Sequence, residues 1–368
     1  PAFGMSVFIF GGSFYMQKKA YRNALSQKQF GRLVSILLVL VMLLGIMPVS
    51  VFAAQGGGSS ATVMESGAAN TDKPAVSNDA ESEEDTPSQS ESSNVWDGVS
   101  KTEITPDESG VYNISTAAEL AWFAEQVNTS NTFSSKTMMK IVLTSDIDLG
   151  NHEWTPIGTT RSNCTITFDG QGHKVSNLFI SKISNSDADT TESPAYVDVG
   201  LFGYVLAKKK ESTIKNLTVA GQINIAGYEN EQAELNVGGL AGFAIGHVWN
   251  CKNEVTVSVS NIHVKEAYIG GICGQFGTGM KKGAMVGCSN AGAVSFTAGA
   301  SLPAEVLGIA GIAGGRGGIN AIIESTYNTG AVNVNYSNCT TTSNGKIYYG
   351  GITNNLPNVA EKGFINNC

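Results

Sequence analysis

Six side chains capable of acid–base or cation-binding chemistry fall in one short stretch: Asp146, Asp148, His152, Glu153, Asp169 and His173. Asp146 and Asp148 are two residues apart, so on a strand both carboxylates lie on one face. With Asp169 brought in from a neighbouring strand they would offer hard oxygen ligands to Ca²⁺. A second reading is turn chemistry, because Asp148-Leu-Gly and Asp169-Gly-Gln-Gly are sequences in which Asp caps its own corner. A third is catalysis, since two carboxylates are the minimum equipment for general acid–base cleavage of a glycosidic bond.

The rest of the chain offers such chemistry little support. No Asp occurs from Val199 to Cys368, and beyond residue 54 the only arginines are Arg161 and Arg316. The remaining acids there, such as Glu254, Glu266 and Glu324, are scattered and read as solvated faces. His152-Glu153 runs into Trp154-Thr-Pro156 with no second His four residues on, so the helical zinc-protease motif is absent. Gly314-Gly-Arg-Gly-Gly318 and Gly274-Gln-Phe-Gly-Thr-Gly279 do not match the phosphate-binding loop pattern. No nucleophile, base and orienting group can be grouped from spacing alone. The sequence therefore assigns no catalytic residue and no cofactor-binding residue, and the Ca²⁺ set Asp146, Asp148 and Asp169 is its one metal candidate.

What must position these residues is a repeat. A four-residue phrase recurs as Gly200-Leu201-Phe-Gly203, Gly239-Leu240-Ala-Gly242, Gly271-Ile272-Cys-Gly274 and Gly311-Ile312-Ala-Gly314, then as Gly351-Ile-Thr-Asn354. A second column, Asn177, Asn216, Asn253, Asn290 and Asn328, keeps the same period of just under forty residues. Two columns with one period predict a stacked solenoid. Short β-rich runs bounded by Gly, Asn and Asp, such as Leu217-Thr-Val219, Val255-Thr-Val-Ser-Val259 and Val332-Asn-Val334, predict strands. Several runs per period, without helical periodicity beyond Asn131, point to a parallel β-helix with one or two turns per repeat. The Leu or Ile of each phrase is expected to point inward and stack. The flanking glycines are expected to turn corners that a Cβ would block, and the Asn column to form an amide ladder or plain turn residues.

Upstream of the strands, Thr116-Ala-Ala-Glu119 is a capping box opening the segment Leu120, Trp122, Phe123 and Val127, which predicts one amphipathic helix covering the open end of the stack. An aromatic ligand platform at Trp122 and Phe123 is the alternative reading of that segment.

The six cysteines are Cys164, Cys251, Cys273, Cys288, Cys339 and Cys368. Cys251, Cys288 and Cys368 share one repeat slot with Thr326, and Cys273 takes the slot of Phe202 or Ala241. Interchange with Thr, Phe and Ala marks small packing residues, with disulfides the alternative if the chain is exported. No pattern of paired Cys and His suggests zinc.

The chain of 368 residues is 42% hydrophobic and 15% charged, with 43 Gly against 9 Pro, enough apolar content for a large core and unusually rich in glycine. Residues 1–54 hold no acid. Lys18, Lys19, Arg22, Lys28 and Arg32 precede an apolar run from Leu33 to Val49 that closes on Val51-Phe-Ala-Ala54. This is the layout of a secretory signal peptide, with an uncleaved membrane anchor as the alternative. Loss of the leader would take the formal net charge from −8 to −13, which argues against nucleic acid as a partner. Residues 55–95 form an acidic Ser- and Gly-rich segment that buries too little apolar surface to order itself. The expected organisation is then 1–54 leader, 55–95 linker, 96–198 cap helix with the first rungs, and 199–368 repeat array. The array stops short of its next Asn, so it is expected to continue beyond Cys368.

The phrases Gly200-Leu-Phe-Gly203 and Gly238-Gly-Leu-Ala-Gly242 resemble the GLUG motif of secreted and surface-anchored bacterial proteins. Phe168-Asp-Gly-Gln-Gly-His-Lys-Val-Ser-Asn-Leu178, Tyr112-Asn-Ile-Ser-Thr-Ala-Ala-Glu-Leu-Ala-Trp-Phe-Ala124 and Asp146-Ile-Asp-Leu-Gly150 resemble segments preceding such arrays. The resemblance spans about Trp96 to Cys368. It implies a right-handed, pectin-lyase-like β-helix on a bacterial surface, and it carries no catalytic motif.

The function expected is a secreted or surface-exposed adhesive, binding or stalk module. Its partners would be host or cell-wall glycans or extracellular proteins; it would have no membrane span after leader cleavage, a monomeric state and attachment through a segment beyond Cys368. A carbohydrate-active enzyme using the cluster at 146–173, and a non-catalytic region of a larger surface protease or hydrolase, are the alternatives.

Overall fold

The computed structural model describes residues 95–129, 138–159, 161, 165–183, 195–206, 213–277, 283–303, 305–316, 321–340, 346–353, 364–366 and 368, all within one compact unit, Thr86–Cys368. The expected leader, nearly all of the expected linker, Cys164 and Asn354 lie outside the described residues. No described helix is long and apolar enough to cross a membrane.

The chain winds through four parallel faces. Face 1 carries eight strands: Val111–Ile114, Met139–Leu143, Ile166–Asp169, Thr213–Lys215, His247–Trp249, Ala284–Val286, Ile322–Glu324 and Phe364–Asn366. Face 2 runs through Ile147–Asp148, Lys174–Ile180, Thr218–Ala226, Lys252–Ser260, Ser289–Asn290 and Tyr327–Asn328, and continues in Val294–Thr297 and Val332–Asn335. Face 3 stacks Ala195–Val199, Glu229–Gly238, His263–Gly270, Val306–Ala310 and Lys346–Gly350. Face 4 stacks Phe202–Leu206, Ala241–Ile245, Cys273–Phe276 and Ala313–Arg316. Between Ile166 and Arg316 each circuit visits faces 1, 2, 3 and 4 in turn and pairs in parallel with its neighbours. This is a parallel β-helix with one turn per repeat.

The period-2 alternation of each strand becomes an inside and an outside. Along Lys252–Ser260 every second residue, from Asn253 to Val259, is buried. On face 1 the inward residues Ile141, Phe168, Ile214, Val248, Met285 and Ile323 are aligned through six successive levels, all essentially inaccessible to solvent. Face 2 stacks Ile180, Ile223, Val257, Val294 and Val332 in the same manner. β-Branched side chains suit this arrangement, because each packs on its equivalent one level away. The inner column of face 3 runs Val199, Val237, Ile269, Ile309 and then Tyr349, which is 71% exposed.

The glycine phrase is the corner between faces 3 and 4. Leu201, Leu240, Ile272 and Ile312 are buried one above another, and the backbone passes hydrogen bonds from level to level, with Leu240 N to Ile272 O at 3.0 Å and Ile272 N to Ile312 O at 3.0 Å. Ile312 N donates to Ile352 O at 3.1 Å, so the stack extends into the departing fifth phrase. The flanking glycines turn corners that a Cβ would block, as expected, and they do so without left-handed geometry, since none of those in the first four phrases has positive φ. They are required by space: a Cβ on Gly242 would lie 2.4 Å from Val199 N, and one on Gly274 would lie 2.5 Å from Val237 N.

The helix forms where predicted. Helix α1, Ala117–Thr129, opens on a capping box in which Thr116 N donates to Glu119 Oε2 at 3.0 Å and Glu119 N to Thr116 Oγ1 at 3.3 Å. It buries Leu120, Phe123 and Val127, and Trp122 packs partly buried against the same core, so these aromatics are structural rather than a ligand platform.

Candidate functional site

The Asn column, expected to be an amide ladder or plain turn residues, divides between the two: Asn177 and Asn216 are turn residues at positive φ, and the other three form a ladder. Asn253, Asn290 and Asn328 are in register, with Asn253 Nδ2 donating to Asn290 Oδ1 at 2.7 Å and Asn290 Nδ2 to Asn328 Oδ1 at 2.8 Å. The residue aligned with Asn253 on the preceding level is Val219. Asn216 instead belongs to an outer corner with Asn250, Gly287 and Ser325, each at positive φ near 50–65°, and Asn250 Nδ2 donates to Asn216 Oδ1 at 3.0 Å. Asn177 sits in a register shift and donates to Asp148 Oδ1 at 2.8 Å. Equal spacing misled because circuit length varies: aligned asparagines are 34 residues apart in one place and 38 in another.

Just inside that corner run Leu217, Cys251, Cys288 and Thr326. Cys251 Sγ donates to Trp249 O at 3.3 Å, Cys288 Sγ to Val286 O at 3.4 Å and Thr326 Oγ1 to Glu324 O at 3.0 Å, the same bond at three levels. The cysteines act as small internal donors, which explains their interchange with Thr. The buried Cys251, Cys273 and Cys288 are in no disulfide. Burial pushes the Cys273 thiol well above its usual range, and the hydrogen bond with Cys288, with burial, does the same for Cys251.

The acidic cluster does not converge. Asp148 Oδ1 accepts Gly150 N at 2.8 Å, closing its own Asp-Leu-Gly turn. Asp169 accepts Gln171 N at 3.0 Å and Asn216 Nδ2 at 3.0 Å and pairs with Lys215 Nζ at 2.8 Å. Although burial opposes it, these partners hold the Asp169 carboxyl below its ordinary value. Asp146 accepts Lys174 N and contacts His173 Nδ1, both at 3.0 Å, and the backbone bond, followed by His173, lowers its pKa. Glu153 accepts Ser181 N and Lys182 N, while His152 packs edge-on to Trp96. Among the described residues no group of three or more His, Cys, Asp or Glu side chains is arranged to hold a metal ion. The proposed Ca²⁺ set is thus separated into three individual corner caps.

The densest polar arrangement lies elsewhere, on the outer side of faces 3 and 4. Arg161 reaches over it: its Nε and Nη2 donate to Asp198 Oδ2 and Oδ1 at 3.0 and 3.1 Å, and Nη2 lies 3.4 Å from Glu234 Oε1. The guanidinium stacks 3.3 Å above the Tyr196 ring and 4.7 Å from that of Phe243. Asn236 Nδ2 donates to both Asp198 Oδ1 and Glu234 Oε1, and Gln275 Nε2 also donates to Glu234 Oε1. Register explains the meeting, since Asp198 aligns with Asn236, Tyr196 with Glu234, and Tyr204 with Phe243 and Gln275.

Burial raises the Glu234 pKa against the pull of Arg161, and the Arg161 pKa is raised because Asp198 and Glu234 outweigh the effect of burial. A buried carboxyl with a raised pKa is a candidate general acid. Here, however, both Asp198 oxygens and Glu234 Oε1 are committed to Arg161, Asn236 and Gln275. The arrangement is a clamp that fastens Arg161 to the outside of the stack. Sequence reasoning passed it over because its members are far apart in the chain; the available signal was the rarity of arginine in the folded region.

No protein-family model matches the chain, and no similar sequence was found among curated proteins. A crystal structure from Bacteroides ovatus, of a protein provisionally assigned as an immunoglobulin A1 protease, has a TM-score of 0.45 and 19% sequence identity over 73% of this chain and 77% of that chain. Likeness of that degree assigns no activity to the present chain.

Proposed function

We propose that this chain is the binding and display part of an exported bacterial surface protein, a β-solenoid that holds a flat outer face against an extended glycan. The observation that carries this reading is the outside of face 2. There Asn224, Ser258, Ser295 and Asn333 align through four levels, and beside them Ala226, Ser260, Thr297 and Asn335. Successive levels are about 4.8 Å apart, and neighbouring outward residues on one strand about 7 Å. These two columns are regular, uncharged and rich in hydroxyls and amides, while Lys174, Lys252 and Glu254 stand toward the other edge of the same outer side, with Lys174 Nζ paired to Glu254 Oε2 at 2.7 Å. The two columns are suited to a neutral polymer with many hydroxyls rather than to a single small substrate.

Export rests on the layout of residues 1–54 and on the resemblance to GLUG-motif surface proteins. Both are tested by locating the protein in fractionated cells and reading the N-terminus of the mature chain. Binding is tested by probing the full chain against host and cell-wall polysaccharides. S258Y/S295Y, which roughens the face while leaving its inward residues intact, should weaken any interaction at least tenfold. Equal binding by the variant would remove the basis for this reading.

A further inference from the structure

Cys251 and Cys288 hold one slot on neighbouring levels of the stack. Trp249 pairs with Val286 and Lys252 with Ser289, so the cysteines between these pairs lie directly opposite one another. Adjacent parallel levels are about 4.8 Å apart, within the Cα separation of about 4.4–6.8 Å that a disulfide spans. Both side chains are buried, at 1% and 0% exposure. Cys288 Sγ leans toward the preceding level, 3.5 Å from Cys251 N and 3.3 Å from Val248 O, and the two thiols are hydrogen-bonded to each other. Leu217 precedes them in the slot and Thr326 follows, so each has the other as its adjacent cysteine there. The carbonyls that accept their S–H groups do not depend on them, since Trp249 O also accepts Asn216 N at 3.0 Å and Val286 O accepts Asn250 N at 2.9 Å.

We infer that Cys251 and Cys288 close an inter-level disulfide when the chain folds in the presence of a disulfide oxidant, and that the arrangement described above is its reduced form. One cysteine thiolate attacks the oxidant and expels a thiolate; the other then attacks the mixed disulfide and expels the second. Two protein thiols are thereby oxidised to one S–S bond, the oxidant is reduced to two thiols, and the protons lost by the cysteines end on those thiols. Within the protein the step asks for a rotation that turns Cys251 Sγ away from Ile214 O, 3.7 Å from it, and onto Cys288 Sγ. Because both groups are buried once the stack has formed, exchange takes place before this corner closes, and a chain folded without oxidant stays reduced. The bond joins residues 37 apart and fastens two circuits to each other across the direction of the strands. The capacity belongs to the fold. Its use in the cell rests on the export proposed above, since disulfides persist in oxidising compartments and are rare in the cytosol.

The test refolds the reduced, denatured full chain in a buffer of reduced and oxidised glutathione and, in parallel, in excess dithiothreitol. Peptide mapping without reduction should give a pair of peptides linked through Cys251 and Cys288 from the first sample and none from the second, and Tm should be higher in the first by about 4 °C or more. C288T should lose both the linked pair and the difference in Tm between the buffers; if C288T fails to fold, C251V should do the same. Mapping of protein taken directly from cells tells the two readings apart: a linked pair after refolding, with free thiols in the cell-derived chain, would place the chain in a reducing compartment, against export, and leave the disulfide standing. Free Cys251 and Cys288 after folding in glutathione, linkage of either one to Cys273 instead, or a Tm lowered by the bond would overturn the inference.

Discussion

Gly239 and Asn253 share one space: a Cβ on Gly239 would stand 2.1 Å from Asn253 Oδ1. The same relation recurs between Gly271 and Asn290 and between Gly311 and Asn328, at 2.4 and 2.3 Å. The glycine phrase and the amide ladder, two columns in the sequence, are therefore one device. Each Asn turns its side chain inward to bond its own corner and the next level, Asn253 Nδ2 to Val255 O at 3.2 Å and to Asn290 Oδ1 at 2.7 Å. The absence of a side chain opposite makes room for it.

A double-mutant cycle measures that dependence. G239A should destabilise the fold by about 1–3 kcal/mol through overpacking, and N253A by a similar amount through loss of buried hydrogen bonds. The double variant should fall short of their sum by about 1 kcal/mol or more, because N253A removes the atom with which the new methyl group collides. Additivity in urea denaturation would show the two columns to be independent.

At the Arg161 clamp, R161M should destabilise by about 3–5 kcal/mol, since it leaves the buried Asp198 carboxylate uncompensated. R161K should recover only part, because an ammonium cannot make the two-pronged contact with Asp198 or stack flat on Tyr196. Full rescue by lysine would mean that charge alone matters there.

Two carboxyls give opposite pH limbs. Glu234 has a raised folded pKa, so its contribution is complete below the pKa it has when unfolded and is lost as pH rises through the folded value; E234Q should flatten this loss. Asp169 has a lowered folded pKa, so its contribution is present above the unfolded value and lost as pH falls through the folded one; D169N should flatten the acid limb. Tm measured against pH for the two variants separates these limbs, and parallel curves for wild type and variants would contradict both assignments.

The thiols give a labelling pattern. Cys251, Cys273 and Cys288 should resist alkylation in the native protein and react only after unfolding, whereas exposed Cys368 should react at once. C288T should keep the stability of the parent within about 1 kcal/mol, because Thr326 already makes the equivalent bond one level on. Peptide mapping after brief alkylation checks the first statement and calorimetry the second.

How much of this was legible depended on whether the relevant contacts repeat. The stacked Leu240, Ile272 and Ile312, the capping box at Thr116 and the Cys–Thr slot could be read because each is a local phrase whose physics recurs at every level. Which asparagines form the ladder and which are turn residues could not be read, because residue counting assumes constant circuits, whereas register is set by the pairing of Lys215 with Trp249 and of Val219 with Asn253. The Ca²⁺ reading of Asp146, Asp148 and Asp169 could not be decided from spacing, since a carboxylate that caps its own turn and one that faces a cation have the same local sequence. Arg161 with Asp198 and Glu234 was hidden for the converse reason: three residues on separate circuits leave no local pattern.

The central claim is that the outer side of face 2 engages an extended polymer, and a length series tests it most directly. Oligosaccharides of the preferred glycan should bind more tightly with each added unit, up to about the four levels marked by Asn224, Ser258, Ser295 and Asn333, and S258Y/S295Y should abolish the gain. Affinity independent of length, or a gain that survives S258Y/S295Y, would contradict the account.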